Sequence, residues 1–374
     1  MNYYERYIDL STNYKQDTDT YIKETNVEIK FFQFNSVLNE SNNVLLEKDN
    51  NIIENRTFLY PVFIPGKEKR KRYRGAIVLL HGLNERSWDK YLTWAEYLCV
   101  KTNLPVILFP IAFHINRAPL SWSNPRKMME LLNFRKEMFI DDRSISFANV
   151  ALSNRLSQNP ERFYMSGRQT WSDLTSLFEM IKTGEHPLFN EDSKIDIFAY
   201  SIGAFLSQVA LMANQKNLFN NSKLFMFCGG SIFDSMQGIS RSIMDKAAFQ
   251  TIKDYYINSF EKEKQKCSLK WVRDKAYKAF NCMISPEIHK TEREDTFSKL
   301  ANQIKGITLT KDEVIPHHGV IEAMGKKCAM STITLLDFDF PYSHENPFPV
   351  KTKDTFLLNK SFKTVFDNAV EFFL

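Results

Sequence analysis

The stretch from Lys194 to Ala213, KIDIFAYSIGAFLSQVALMA, constrains the fold of this chain more than any other. Ile195, Ile197 and Ala199 alternate with Asp196, Phe198 and Tyr200, a short run suited to a buried strand. Ala204, Phe205, Val209, Ala210 and Met212 then recur at helical spacing. Only Ala199-Tyr200-Ser201-Ile202-Gly203 remains for the turn between them. So sharp a turn brings other segments close, which excludes bulk at two positions, and these hold Ala199 and Gly203. Taken alone, the pattern also fits an ordinary serine capping a helix. The rest of the chain must decide between the two.

The surroundings of that stretch alternate strand and helix. Val27 to Phe34 and Thr57 to Ile64 read as strands, the second closed by Pro65-Gly66. Lys67 to Arg74, KEKRKRYR, is strongly basic but falls between two strands, where a solvated hairpin tip is the simpler reading than an anion-binding patch. Ala76 to Leu80 is a continuous apolar run, as in a strand covered on both faces, and it ends in His81-Gly82-Leu83-Asn84. Ser87 is placed to cap a helix whose apolar face is Trp88, Tyr91, Leu92, Ala95 and Leu98. Pro105 to Pro110 is the next strand.

A long excursion, Ile111 to Ser193, separates it from the serine strand. Two helices are expected over Met128 to Met138 and Phe147 to Leu156. A third opens on a Thr170/Asp173 capping box and stops at Gly184. After the serine helix come a strand at Lys223 to Cys228, a block from Ser231 to Gln303 that reads as helical with no strand, strands at Ile307 to Leu309 and Thr332 to Leu336, and a closing helix over Phe362 to Phe373. Residues 1–25 are polar and read as a surface wrap or a frayed end. The alternation predicts an α/β fold with a mainly parallel sheet, helices on both faces and ligands at the carboxyl ends of the strands.

Three loops follow predicted strands and so share the sheet edge with Ser201. His81 to Asn84 can aim a backbone N–H, that of Leu83, at the same point as the Ile202 N–H, as stabilising a developing oxyanion requires. Thr310 to Pro316 carries Asp312 and Glu313, either of which could orient an imidazole. Asp312 is favoured, with Asp337 and Asp339 as more distant alternatives. Asp339 to Pro347, DFPYSHENP, carries His344, which titrates near neutrality and sits in a loop able to serve as base. His317 and His318 are its competitors, although their nearness to Asp312 in sequence suits them better to lining a pocket.

With AIVLLHGLN, IDIFAYSIGAF, ITLTKDEVIP and the late histidine loop in this order, the chain resembles the α/β-hydrolase superfamily from about Thr57 to its C-terminus. It departs from that pattern in Ala199, which replaces the usual first glycine of the nucleophile elbow, and in the size of the insertion at about 111–168. The resemblance implies Ser201 as nucleophile, His344 as base, Asp312 as orienting acid, and Leu83 and Ile202 as oxyanion donors. It also implies cleavage of a carboxylic ester, or of a thioester or amide, through an acyl-enzyme. The alternative is a binding or scaffold protein on the same fold without turnover. The expected layout is a core at 1–230, a helical lid at 231–303 over a mostly apolar acyl pocket, and the rest of the core at 304–374.

Composition narrows the partners. A net charge of +5 over 374 residues is too small to imply a nucleic-acid footprint, and no run is long enough for a membrane span. The five cysteines are scattered and odd in number, so buried free thiols are expected rather than a disulfide framework or zinc site. No clustered ligands or phosphate-binding glycine loop is visible, so no metal or organic cofactor is expected. The partner that the resemblance implies is a small-molecule acyl substrate. The N-terminus lacks a signal-peptide pattern, and a cytoplasmic location is expected.

Overall fold

The computed structural model describes residues 2–36, 47–66, 72–267, 274–352 and 354–374. Most of the basic run, 67–71, lies outside them, so the hairpin-tip reading is not addressed. Among the described residues nine strands form one sheet in the order β1-β2-β3-β5-β4-β6-β7-β8-β9. The strands are β1 Thr20–Ile22, β2 Val27–Asn35, β3 Thr57–Pro65, β4 Tyr73–Leu80, β5 Val106–Leu108, β6 Phe189–Tyr200, β7 Leu224–Phe227, β8 Ile304–Leu309 and β9 Ile333–Leu336. β1 to β3 run antiparallel to their neighbours, and β5-β4-β6-β7-β8-β9 pair in parallel. The fold class is the expected one.

The period of two along the strands builds two cores. In β4, Ala76, Val78 and Leu80 face one side with Ile195, Ile197 and Ala199 of β6. There they meet Leu174 and Phe178 of helix Glu161–Lys182 and Ala204 and Phe205 of helix Ile202–Ala213. Ile77 and Leu79 face the other side with Phe198, Tyr200, Phe225 and Phe227, covered by helices Tyr3–Asn13, Asp89–Thr102 and Thr355–Phe373. Trp94 sits at the centre of this second core, edge-on to Tyr200 at 5.3 Å and to Tyr91 at 5.0 Å. Such aromatic pairs are worth about 0.5–1.5 kcal/mol each beyond their buried area.

Several local expectations are corrected. Of the two readings for residues 1–25, the described part, 2–25, takes the surface wrap and not the frayed end: Tyr3–Asn13 is a helix capped by Asn2, with Tyr3 stacked on Phe362 at 4.4 Å and Arg6 bonded to the buried Glu96. The polar look of this segment arises because only Tyr3 and Leu10 of the helix are fully buried. Ser87 does not cap helix Asp89–Thr102; its hydroxyl donates to the Asp89 carboxylate. Thr170 and Asp173 open nothing, because they lie inside the 22-residue helix Glu161–Lys182. The Thr170 hydroxyl donates to Ser166 O one turn back, and Asp173 is a buried ion-pair partner. From 232 to 244 the chain is mostly loop rather than helix, with a bridge between Ile239 and Met244.

Two buried ion pairs tie the insertions down. Arg117, fully buried, donates to Asp173 at 2.7 Å, to Asn55 Oδ1 and O at 3.1 Å each, and to Pro110 O at 3.1 Å. Arg135, on helix Pro125–Met138, holds both oxygens of Asp245, which in turn caps helix Lys246–Asn258. Removing one member of such a pair strands a charge away from water. Asp173→Ala is expected to lower unfolding free energy by about 3–5 kcal/mol, while Lys216→Ala at the exposed Lys216–Glu179 pair changes it by less than about 1 kcal/mol. Urea unfolding followed by tryptophan fluorescence measures both.

Candidate active site

The strand register levels one edge of the sheet. Leu80 pairs with Ala199, Tyr200 with Phe227, and Phe227 with Ile307. The residues just after these strands, His81, Ser201, Cys228 and the turn beyond Leu309, are therefore neighbours.

Ser201 lies at φ 56°, ψ −123°, a conformation that L side chains rarely adopt. It is held there by its own N–H donating to Phe227 O at 3.3 Å and by Ala204 N–H donating to Ser201 O at 3.0 Å. Two glycines make room. A Cβ on Gly203 would lie 2.8 Å from the carbonyl oxygens of Leu80 and His81, and one on Gly229 would lie 2.8 Å from Ser201 O. The sequence pointed to Gly203; Gly229 reads only as the end of a strand until the fold brings it against the turn.

Ser201 Oγ lies 2.7 Å from His344 Nε2, and His344 Nδ1 lies 2.8 Å from Asp312 Oδ2. All three residues are buried, at 4–5% exposure. The other Asp312 oxygen accepts from the N–H groups of Val314 at 3.0 Å and Ile315 at 2.8 Å, which fixes the carboxylate. Glu313 points to solvent, and Asp337 is an exposed partner of Lys311 and Tyr342. His317 bonds to Thr308 at 2.7 Å, and neither it nor His318 lines the cavity described below. An imidazole bonded to a hydroxyl on one nitrogen and to a buried carboxylate on the other can accept the hydroxyl proton and be stabilised as a cation.

Tyr200 supports His344 from below, a contact that spacing could not reveal. Its ring stacks on the imidazole at 5.4 Å with a 16° tilt, and its hydroxyl donates to His344 O. Cys228 is buried against Asp312; burial, then the carboxylate, pushes its thiol well above the usual range.

The loop after β4 approaches from the opposite side. A Cβ on Gly82 would stand 3.4 Å from Ser201 Cβ. His81 is spent on shaping this loop: Nδ1 donates to Gly82 O at 2.7 Å and Nε2 accepts from Ile111 N–H at 2.9 Å. Burial, with His114 nearby, holds it neutral, its pKa well below the ordinary value. Gly82 N–H donates to the Tyr91 hydroxyl, which donates to Glu85. Asn84 reaches across to Ala148 O at 2.8 Å and Ser242 O at 2.7 Å, joining the loop to both insertions.

Leu83 and Ile202 open onto a cavity of about 450 Å³. Its walls come from residues 83–89, the segment 111–123, helices Val150–Gln158 and Glu161–Lys182, helix Ile202–Ala213, and Ala276 and Phe280 of helix Lys275–Cys282. Away from this site, Cys282, His289 and Glu292 bring three possible ligand atoms within 4.8 Å of one another. The Arg293 guanidinium bonds to Cys282 O at 2.8 Å beside them, a fixed cation that disfavours a metal there. No described helix is long and apolar enough to cross a membrane.

The model of a family described as "Family of unknown function (DUF6051)" matches residues 1–374, and the chain belongs to that family. No curated protein matches the sequence significantly. Among solved structures it is similar to a candidate dipeptidyl aminopeptidase IV from Bacteroides ovatus, with 12% identity and a TM-score of 0.46 over 91% of this chain, which spans only 36% of that one. It is also similar to vibralactone cyclase, with 12% identity and a TM-score of 0.46 over 100% of this chain and 86% of that one. A third is a hyperthermophilic esterase from Pyrobaculum calidifontis, with 9% identity and a TM-score of 0.46 over 98% and 90% of the two chains. At these values the likeness assigns no activity. What the sheet itself shows is an α/β fold, mainly parallel, with helices on both faces.

The crowding around Ser201 makes a stability prediction. Gly203→Ala puts a methyl against two backbone oxygens that cannot swing aside. The variant is expected to lose about 1–3 kcal/mol, as overpacked sites do, read from the shift in urea midpoint. An unshifted midpoint would mean that the turn is looser than described.

Proposed function

We propose that this member of DUF6051 is a serine hydrolase that cleaves a carboxylic ester through an acyl-enzyme. The observation that carries the reading is the unbroken chain of contacts from Ser201 Oγ through His344 to Asp312, buried beside a cavity into which Leu83 and Ile202 open. In the proposed reaction His344 Nε2 takes the Ser201 proton as Oγ adds to the ester carbonyl. The Asp312 carboxylate stabilises the resulting imidazolium. The N–H groups of Leu83 and Ile202 receive the oxyanion. The tetrahedral adduct collapses, the alcohol leaves with the proton from His344, and an acyl-Ser201 ester remains. Water, deprotonated by the same imidazole, then adds to it; the acid departs and the proton returns to Ser201. Thioesters and amides pass through the same steps with different leaving groups.

The block 231–303 is proposed as a lid, with the long excursion after β5 as its partner in roofing the cavity. Phe280 supports this, since its ring meets Phe205 of the Ser201 helix at 5.8 Å while lining the cavity. A fold retained for binding alone, without turnover, finds no support in so complete a contact chain.

Kinetics on 4-nitrophenyl esters test the roles. Ser201→Ala is expected to lower kcat on the order of 10⁴ to 10⁶ fold with the fold intact by circular dichroism. Asp312→Asn should cost on the order of 10⁴ fold, and Glu313→Gln less than about tenfold. Ester turnover undiminished in Ser201→Ala would remove the nucleophile assignment. Equal effects at Asp312 and Glu313 would remove the acid.

A further inference from the structure

The cavity beside Ser201 is not uniformly apolar. Phe113, Trp122, Trp171, Phe205 and Phe280 give it aromatic walls; Glu85, Arg86 and Asp89 line its end near the loop after β4, and Arg155, Arg162 and Arg168 line it too. Arg168 grips both oxygens of Asp274 and is neutralised by it. The other two share a single carboxylate: Arg155 donates to Asp49 Oδ1 at 3.0 Å and Arg162 to Asp49 Oδ2 at 2.9 Å. Asp49 is 2% exposed and lies behind them, outside the cavity. Among the described residues no second carboxylate pairs with either guanidinium, so this corner carries one positive charge in excess.

The corner is also built to stay in place. The Arg155 guanidinium lies over the rings of Trp122 at 4.2 Å and Phe113 at 4.9 Å, and Arg162 donates to Arg155 O at 2.9 Å. A cation lying against two adjacent aromatic rings is oriented but not neutralised. Burial lowers the Arg155 pKa, and Arg162 adds to that effect against the pull of Asp49, so a further anion would relieve the site. Two residues that line the cavity also carry a buried polar atom with no partner among the described residues, His114 Nε2 and Trp171 Nε1, each turned away from the open space. His114 Nδ1 donates to Ala112 O at 2.9 Å, and burial holds its pKa down at about 4, so Nε2 is left as an acceptor. Trp171 Nε1–H is a donor.

We propose that the ester cleaved at Ser201 bears a carboxylate, held by Arg155 and Arg162 at this corner of the cavity. The inference rests on the serine-hydrolase reading above. One uncompensated positive charge matches a monoanion, and planar guanidinium groups fit the planar carboxylate, whereas a phosphate dianion would remain half neutralised. The aromatic walls then take the carbon skeleton between the two ends. This makes Arg155 and Arg162 specificity-determining residues rather than structural ions alone.

Two arms test it. The first compares kcat/KM for mono-4-nitrophenyl esters of the dicarboxylic acids from succinate to sebacate with neutral 4-nitrophenyl esters of matching length. A parallel series places the carboxylate on the alcohol side, as acyl esters of 4-hydroxybenzoate against those of its methyl ester. At least one carboxylate ester should exceed its neutral counterpart by about tenfold or more, and the advantage should shrink as salt approaches about 1 M. In Arg155→Met and in Arg162→Gln the ratio should fall toward one, with Arg155→Lys retaining part of it. Neutral esters favoured at every length, or a preference that survives in both arginine variants, overturns the proposal.

The second arm does not need turnover. Calorimetry on Ser201→Ala should show octanoate binding about tenfold more tightly than octanamide, with the difference lost when Arg155→Met is added, or Arg162→Gln if that protein does not fold. Equal binding of the two overturns the anion site whatever the enzyme turns over. Failure of every ester to react, with octanoate still preferred, would instead refute the hydrolase reading and keep the anion site.

Discussion

Everything at this site depends on one backbone conformation, that of Ser201. At φ 56° and ψ −123° it costs on the order of 1–3 kcal/mol. The surrounding fold must therefore over-determine it. Phe227 O receives its N–H, Ala204 N–H takes its carbonyl, and Gly203 and Gly229 leave space where any Cβ would collide. Only with the chain bent this way does the hydroxyl leave the end of β6 pointing at His344 while the helix starts immediately behind it. The parallel register of β4, β6, β7 and β8 supplies the remaining neighbours at the same level.

The second requirement is that the histidine loop and the loop after β4 stay put on either side of that serine. Neither relies on secondary structure. His344 rests on the Tyr200 ring, with its carbonyl taken by the Tyr200 hydroxyl, and the next residue, Glu345, accepts from Ser240. Ser240 O accepts from Asn149, and Asn84 spans Ala148 and Ser242. The amides of Asn149 and Asn84 thus lace the two loops to each other through the inserted segments. Such a network is costly to break in part, because each amide left without a partner is buried or half-buried.

The fold was largely legible because period-two burial in β4 and β6 and the tight small-residue turn at Ser201 are local signals. Ser201, Asp312 and His344, picked from spacing and strand ends, lie in hydrogen-bond contact. Apart from Ser87, which bonds to Asp89 two residues on, the misreadings involve packing or partners that local spacing cannot show. Thr170 and Asp173 look like a cap because sequence cannot show that Arg117 reaches Asp173 from 56 residues away. The N-terminal helix reads as loose because its partners Phe362 and Glu96 lie far along the chain. Met236, Ile243 and Met244 are buried as a helix would bury them, yet they pack from a loop, which burial spacing alone cannot distinguish. The two arginines on Asp49 could not be seen at all, since their ionic partner stands more than a hundred residues earlier.

An activated serine is the central claim, and a fluorophosphonate reports on it directly. The native protein treated with a tagged fluorophosphonate, digested and mapped by mass spectrometry should carry the tag on the peptide containing Ser201. Prior unfolding in urea should abolish the labelling, because the reagent needs the aligned imidazole rather than a serine as such. No labelling of the folded protein, or labelling that falls on another residue and persists in Ser201→Ala, would contradict the account.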